Sequence, residues 1–96
     1  MEVLVTYDVA TDTAAGRRRL RRVAKVCEGF GQRVQKSVFE CIVNEGEMLQ
    51  LEHRLRSEID EREDSLRIYR LREPRVQFVR VLGRTPEFDL HDPLVI

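Results

Sequence analysis

The sequence predicts an α+β fold with the element order β-α-β(β)-α-β-β. With the second β segment split into two strands, this is the ferredoxin-like βαββαβ arrangement with an extra C-terminal strand. Two observations predict it: runs of β-branched and aromatic residues recur along the chain, and two segments between them carry apolar residues at helical spacing. The chain has 96 residues, which is the size of one domain. A chain of this size buries only about 60–65% of its unfolded surface, so a dimer is a natural way to add burial.

The first strand is predicted over residues 3–9, which are mostly β-branched or aromatic. Alternation along a strand places Val3, Val5 and Tyr7 on one face and Asp8 on the other. Asp8 then stands at the carboxyl end of the strand, a common place for a functional group.

A helix follows, with candidate N-caps at residues 11–13 and an apolar stripe that ends before the glycines at 29 and 31. The stripe consists of Leu20, Val23, Ala24 and Cys27. Residues 33–43 are β-like in composition. They fit either one long strand or two short strands that turn near Lys36 and Ser37, and the pattern alone leaves both open.

The second helix is predicted to begin at Asn44, because Asn44 and Glu47 have the spacing of a capping box. Its stripe is Met48, Leu51, Leu55 and Ile59, and an acidic run over residues 60–64 ends it. Strands are predicted over residues 65–71 and 76–82. Residues 1–82 would form the domain, and residues 83–96 a C-terminal strand or tail that packs on a partner protomer or another protein.

The formal net charge is zero, but the charges are segregated along the chain. Residues 17–39 hold eight basic side chains against one acid, and residues 40–64 hold nine acids against three bases. Fifteen of the seventeen basic residues are arginine, whose planar guanidinium makes bidentate phosphate contacts. The six bases within residues 17–25 are either a solvated helix face or a surface for a nucleic-acid backbone.

Several classes of protein are excluded by composition. The amino terminus carries no basic and apolar signal segment, and no apolar run approaches the ~18 residues of a membrane span, so we expect a cytoplasmic protein without membrane contact. The two cysteines, Cys27 and Cys41, lack further ligands at metal spacing and are expected to be buried thiols.

Four segments resemble one known family. They are TYDV at residues 6–9, GRRRL at 16–20, GQRVQKSVFEC at 31–41 and SLRIYRL at 65–71. In this order they resemble CRISPR-associated protein 2, the small protein of CRISPR spacer acquisition (adaptation). The resemblance extends over residues 2–82.

The resemblance implies a ferredoxin-like fold with two strands over residues 33–43, and a homodimer joined through the sheets. It implies that the dimer binds DNA as the scaffold of the complex with the CRISPR integrase, CRISPR-associated protein 1. It also implies a metal-dependent endonuclease acting on RNA or double-stranded DNA. The alternative is a purely non-catalytic DNA-binding scaffold.

The family's functional positions fall on seven residues of this chain. Asp8 takes the catalytic, metal-binding position, with one magnesium ion shared between the two Asp8 side chains of the dimer. The positions for nucleic-acid binding fall on Arg17, Arg19, Arg33 and Ser37. Two aromatic positions, for base stacking or packing, fall on Tyr7 and Phe39. Packing is favoured for Tyr7 because alternation turns it away from Asp8, and for Phe39 because isolated aromatic residues on strands usually pack.

Overall fold

The computed structural model describes residues 1–83 of the chain, so the predicted tail at residues 83–96 lies, except for Gly83, outside the described part. The described residues form four strands and three helices. In chain order these are β1 (Glu2–Asp8), α1 (Ala14–Glu28), β2 (Gly31–Gln35), β3 (Val38–Ile42), α2 (Glu45–Glu58), β4 (Ser65–Arg70) and α3 (Arg75–Phe78).

The strands form one sheet in the order β2-β3-β1-β4, and each neighbouring pair is antiparallel. The predicted α+β class is therefore confirmed. Residues 33–43 contribute to two strands joined by a turn at Lys36 and Ser37, so the two-strand alternative is the one that the structure adopts. In this order β1 lies between β3 and β4, and Asp8 at the end of β1 is paired with Ser65 of β4.

The helices begin where the sequence offers side-chain caps. Thr13 is the N-cap of α1 and accepts a hydrogen bond from the Gly16 N–H at 3.0 Å. Asn44 caps α2 in the predicted capping box, in which Asn44 Oδ1 accepts from the Glu47 N–H at 2.8 Å and Glu47 Oε1 accepts from the Asn44 N–H at 3.0 Å.

The core lies between the helices and one face of the sheet. It contains the inward residues of β1 and β3 together with the stripes of α1 and α2, of which Leu20, Met48 and Ile59 are only partly buried. The fully buried members with the largest side chains include Phe39, Leu51, Leu55, Val3, Val5 and Val23. The alternation predicted for β1 is confirmed, because Val3, Val5 and Tyr7 face this core and Asp8 is exposed.

The other side of the sheet is called the open face here. Register places Thr6 of β1 between Val38 of β3 and Arg67 of β4, and it places Leu4 between Glu40 and Tyr69. The open face therefore includes Leu4, Thr6, Asp8, Val38, Glu40, Arg67 and Tyr69, together with Glu2, Ile42 and Ser65. Tyr69 is exposed, and Leu4, Thr6 and Val38 are half-buried.

The strand predicted over residues 76–82 is wrong. Residues 75–78 form the single-turn helix α3, and residues 79–83 are not in a strand. The reason is that a strand needs a neighbour for its backbone groups, whereas this turn satisfies its own: the Val79 N–H donates to the Arg75 carbonyl at 2.8 Å. Arg75 also fixes the turn to the sheet, with its N–H 2.7 Å from a Glu2 carboxylate oxygen and its guanidinium 3.1 Å from Glu40.

Candidate functional site

Asp8 ends β1 on the open face. It is paired in register with Ser65 of β4, and its side chain is exposed. Within residues 1–83, no hydrogen bond or ion pair involves its carboxylate. The negative charge of Asp8 is therefore available to a cation.

The loop that follows Asp8 is held at several points. Val9 is buried in the core, and the Ala10 N–H donates to Asp64 Oδ1 at 3.1 Å. Gly16 of α1 packs so closely on this loop that a Cβ there would lie 1.9 Å from the Ala10 carbonyl oxygen. Glycine at position 16 thus permits the close approach of α1 that fixes the loop.

Arg19 lies beside this loop and pairs with a buried carboxylate. Its Nε donates to Asp64 Oδ2 at 2.8 Å and its Nη2 to Asp64 Oδ1 at 3.2 Å. Burial by itself would raise the pKa of Asp64, but the hydrogen bonds from Arg19 and from two backbone N–H groups outweigh it and hold that pKa below its usual value. Arg19, predicted to bind nucleic acid, has two of its donors turned toward the protein.

The remaining bases of α1 point outward. Arg17 is exposed, and its Nη1 donates to the Thr11 carbonyl at 3.1 Å, over the loop that follows Asp8. The exposed bases of α1 are Arg17, Arg18, Arg21, Arg22 and Lys25. Among the described residues these five make no ion pair, so they form a positive surface, called here the α1 basic surface.

Arg33 lies in the interior of the domain, under the β2–β3 turn. It is 8% exposed, its Nη1 donates to the Lys36 carbonyl at 2.9 Å, and its Nη2 lies 3.5 Å from Glu28 Oε1. Its guanidinium carbon is 4.9 Å from the centroid of the Phe39 ring. These contacts place the Arg33 guanidinium inside the fold and not on the α1 basic surface.

Tyr7 and Phe39 also face inward. Their ring centroids are 6.3 Å apart, and Phe39 has no exposed surface. Burial raises the pKa of the Tyr7 hydroxyl to about 12. Ser37 is half-buried in the turn above them, where its carbonyl accepts from the Tyr7 N–H at 3.1 Å.

The seven sequence-predicted residues are therefore not brought together at one site, and Ser37 lies in the β2–β3 turn. Asp8 faces outward, and Arg17 and Arg19 flank the loop that follows it. Tyr7, Arg33 and Phe39 form a packed layer on the opposite side. Sequence reasoning missed Asp64; the available signal was an acid directly before the strand that pairs with β1.

The part of the chain that the structure describes contains no group of three or more acidic, histidine or cysteine side chains able to hold a metal ion. One protomer thus offers the exposed carboxylate of Asp8 without a cluster of three or more such ligands among the described residues. A single carboxylate fits Mg²⁺ as a partial ligand set, because Mg²⁺ takes one or two carboxylates and keeps several waters. No helix within residues 1–83 has the length and apolar character needed to cross a membrane.

Comparisons with known proteins agree on one family. The family model described as "CRISPR associated protein Cas2" matches residues 1–78. The chain is 58% identical to "CRISPR-associated endoribonuclease Cas2 1" of Moorella thermoacetica over 96 residues, which is 100% of both chains. It is 53% identical to "CRISPR-associated endonuclease Cas2" of Halalkalibacterium halodurans over 95 residues, which is 99% of each.

A solved structure gives the same result for the fold. The crystal structure of Streptococcus pyogenes Cas2 at pH 6.5 superposes with a TM-score of 0.78 at 55% sequence identity. The match covers 86% of this chain and 100% of that one.

Proposed function

The chain belongs to the CRISPR associated protein Cas2 family, and we propose that it is a dimeric DNA-binding protein of CRISPR adaptation with metal-dependent endonuclease activity centred on Asp8. The observation that carries the nuclease proposal is the exposed carboxylate of Asp8, which has no protein partner within residues 1–83. The names of the relatives, endoribonuclease and endonuclease, support the same activity.

The metal site of this proposal is shared between two protomers. One protomer contributes one Asp8, and a dimer that joins the open faces brings two together. Two carboxylates in close proximity cannot both remain ionised without a cation or a shared proton. One Mg²⁺ resolves this conflict, and when bound it would neutralise phosphate charge and activate a water molecule for attack on phosphorus.

The open face supports the dimer. It presents Leu4, Thr6, Val38 and Tyr69 on the side of the sheet that faces away from the apolar stripes of α1 and α2. The exposed apolar residues of the segment after β4, which include Val76, Val81 and Leu82, would extend the buried surface in a dimer. The position of β1 between β3 and β4 supports the ferredoxin-like arrangement of each protomer.

The α1 basic surface is the proposed DNA contact. Its five exposed bases are mostly arginine, which suits phosphate oxygens, and none of them is neutralised within residues 1–83. Arg17 donates to the Thr11 carbonyl of the loop beyond Asp8, and this contact supports the proposal that Arg17 binds a phosphate near the metal. Contacts to phosphates alone would bind DNA without reading its bases.

A non-catalytic scaffold is the second candidate, and the single carboxylate of each protomer favours it. Two-metal nucleases hold ions about 4 Å apart with several acidic ligands, and the described residues supply no such cluster. We therefore propose weak nuclease activity and a main role as the DNA-binding scaffold of the complex with the CRISPR integrase. The same proposal places the protein in the cytoplasm, together with the DNA that it binds.

The nuclease proposal is tested by replacing Asp8 with asparagine. We expect Asp8→Asn to abolish Mg²⁺-dependent cleavage of single-stranded RNA and double-stranded DNA while the dimer persists on size-exclusion chromatography. Asp12→Asn is the matched control, because Asp12 is also exposed and lies four residues away, on the loop that follows Asp8. Cleavage by Asp8→Asn at the rate of the unaltered protein would contradict the nuclease proposal.

The scaffold proposal is tested by neutralising Arg18, Arg21 and Arg22 together. The log–log salt slope of duplex binding should fall by about 0.9 for each phosphate that the variant no longer binds, and spacer acquisition should be abolished in cells. Under the scaffold role, acquisition survives Asp8→Asn. Loss of spacer acquisition with Asp8→Asn in a folded dimer would contradict the scaffold role. Duplex binding by the unaltered protein that does not depend on salt concentration would also contradict it.

A further inference from the structure

Asp64 is a buried carboxylate with every acceptor position in use. Its side chain has no exposed surface. Oδ1 accepts from the Ala10 N–H at 3.1 Å and Arg19 Nη2 at 3.2 Å, and Oδ2 accepts from Arg19 Nε at 2.8 Å and the Asp60 N–H at 2.9 Å. A carboxylate offers about four lone-pair positions. Asp64 therefore has none left for a metal or a substrate.

Asp64 is connected to both segments that lie next to Asp8, namely β4 and the loop after β1. Asp64 directly precedes Ser65, the residue of β4 that is paired in register with Asp8. Its carboxylate also holds Ala10, two residues beyond Asp8. The backbone of Asp8 is thus flanked by β4 and by the loop after it. The Asp64 carboxylate is hydrogen-bonded to the loop, and the Asp64 backbone leads directly into β4.

We propose that Asp64 is a positioning residue for the Asp8 site and that Arg19 acts through Asp64, not on a phosphate. This inference rests on the proposed metal site at Asp8. Mg²⁺ requires near-ideal geometry with oxygen ligands at about 2.0–2.1 Å. A small displacement of Asp8 in each protomer therefore weakens a site that needs two of these carboxylates at once.

The surroundings of Arg19 separate it from the other bases of α1. Its side chain is only 20% exposed and donates twice to Asp64. Arg18, the neighbouring residue, is exposed and makes no ion pair within residues 1–83. Loss of the Arg19 guanidinium should therefore weaken metal binding at Asp8, as loss of the Asp64 carboxylate should. Loss of Arg18 should instead weaken duplex binding.

The experiment compares two variants with two matched controls in the full-length protein. Asp64→Asn and Arg19→Gln remove the two partners. Glu63→Gln and Arg18→Gln make the same charge changes one residue away, at exposed positions. Mn²⁺ binding is measured by the electron paramagnetic resonance of the free ion, and duplex binding is measured against salt concentration.

The proposal predicts how the variants change Mn²⁺ binding and the salt slope of duplex binding. Asp64→Asn and Arg19→Gln should each weaken Mn²⁺ binding by about tenfold, at the lower end of the effect of residues that orient metal ligands. The double variant should be no weaker than either single one. Arg19→Gln should keep the salt slope of the unaltered protein, whereas Arg18→Gln lowers it by about 0.9 for each phosphate that is no longer bound. Glu63→Gln should change neither quantity.

Unchanged Mn²⁺ binding by Asp64→Asn, alongside its loss in Asp8→Asn, would overturn this inference and leave the proposed function standing. A salt slope for Arg19→Gln as low as that of Arg18→Gln would also overturn it. If Asp8→Asn binds Mn²⁺ as tightly as the unaltered protein, the proposed metal site at Asp8 is wrong. The inference, which rests on that site, is then wrong as well. Circular dichroism monitors folding. If Asp64→Asn does not fold, Arg19→Lys replaces it, and unchanged Mn²⁺ binding by that variant again overturns the inference.

Discussion

Replacing Phe39 with alanine should lower the free energy of unfolding by about 3–5 kcal/mol, the usual cost of deleting a buried aromatic side chain. The structure supports a value in this range, because Phe39 is 0% exposed, stacks on Tyr7 and lies under the Arg33 guanidinium. A domain of this length is stable by about 5–15 kcal/mol. Phe39→Ala would therefore remove a large share of the total stability.

Phe39→Leu separates packing from contact with nucleic acid. Leucine keeps most of the buried apolar surface and loses the aromatic pair, which is worth about 0.5–1.5 kcal/mol. If the ring stacked on a base, its loss would weaken nucleic-acid binding by about 1–3 kcal/mol. The packing role instead predicts an affinity for single-stranded RNA and duplex DNA within about twofold of the unaltered protein, which is well under 1 kcal/mol.

The assay is urea denaturation at one fixed protein concentration, followed by nucleic-acid binding of the folded variants. Leu49→Ala is the control, because Leu49 is 69% exposed and its truncation should change stability by no more than about 0.5 kcal/mol. The reasoning is refuted if Phe39→Ala is as stable as the unaltered protein, or if Phe39→Leu folds normally and loses nucleic-acid affinity.

Three further predictions concern the surroundings of the site. Gly16→Ala should cost about 1–3 kcal/mol, because its Cβ would lie 1.9 Å from the Ala10 carbonyl oxygen; an unchanged Tm would contradict this. The pKa of Asp64 is lowered in the folded protein, so its stabilisation is present above the unfolded pKa of about 3.9 and is lost as pH falls through the folded pKa. The stability difference between the unaltered protein and Asp64→Asn should therefore shrink as the pH is lowered from 7 to 3. A difference that grows over this range would refute the predicted direction of the pH dependence. Burial raises the pKa of the Cys27 thiol to about 12, so a thiolate-specific reagent at pH 8 should label it only on unfolding; labelling of the folded protein at the rate of an exposed thiol would contradict this.

Elements defined by a local period could be predicted from the sequence. The alternation of β1 placed Val3 and Val5 in the core, and the helical spacing of Leu51 and Leu55 identified the buried side of α2. Both signals depend only on neighbouring residues. The division of residues 33–43 into two strands was different, because it came from the family resemblance and not from the pattern.

Elements that depend on distant partners could not be predicted. The segment 76–82 has the composition of a strand, but strand formation needs a neighbour, and the described residues form the single turn α3 and an exposed stretch after it. Arg19 could be assigned to phosphate from its place among other bases, yet its partner Asp64 is 45 positions away. The burial of Arg33 likewise depends on the packing of β2 against β3. The position of Asp8 could be predicted because a strand end is a local feature.

The most direct test of the central claim is the stoichiometry of Mg²⁺ binding to the purified dimer, measured by isothermal titration calorimetry. A site built from the Asp8 carboxylates of two protomers predicts one ion for every two chains, and no binding at that site in Asp8→Asn. One ion for every chain, or the same binding in Asp8→Asn as in the unaltered protein, would contradict the shared site.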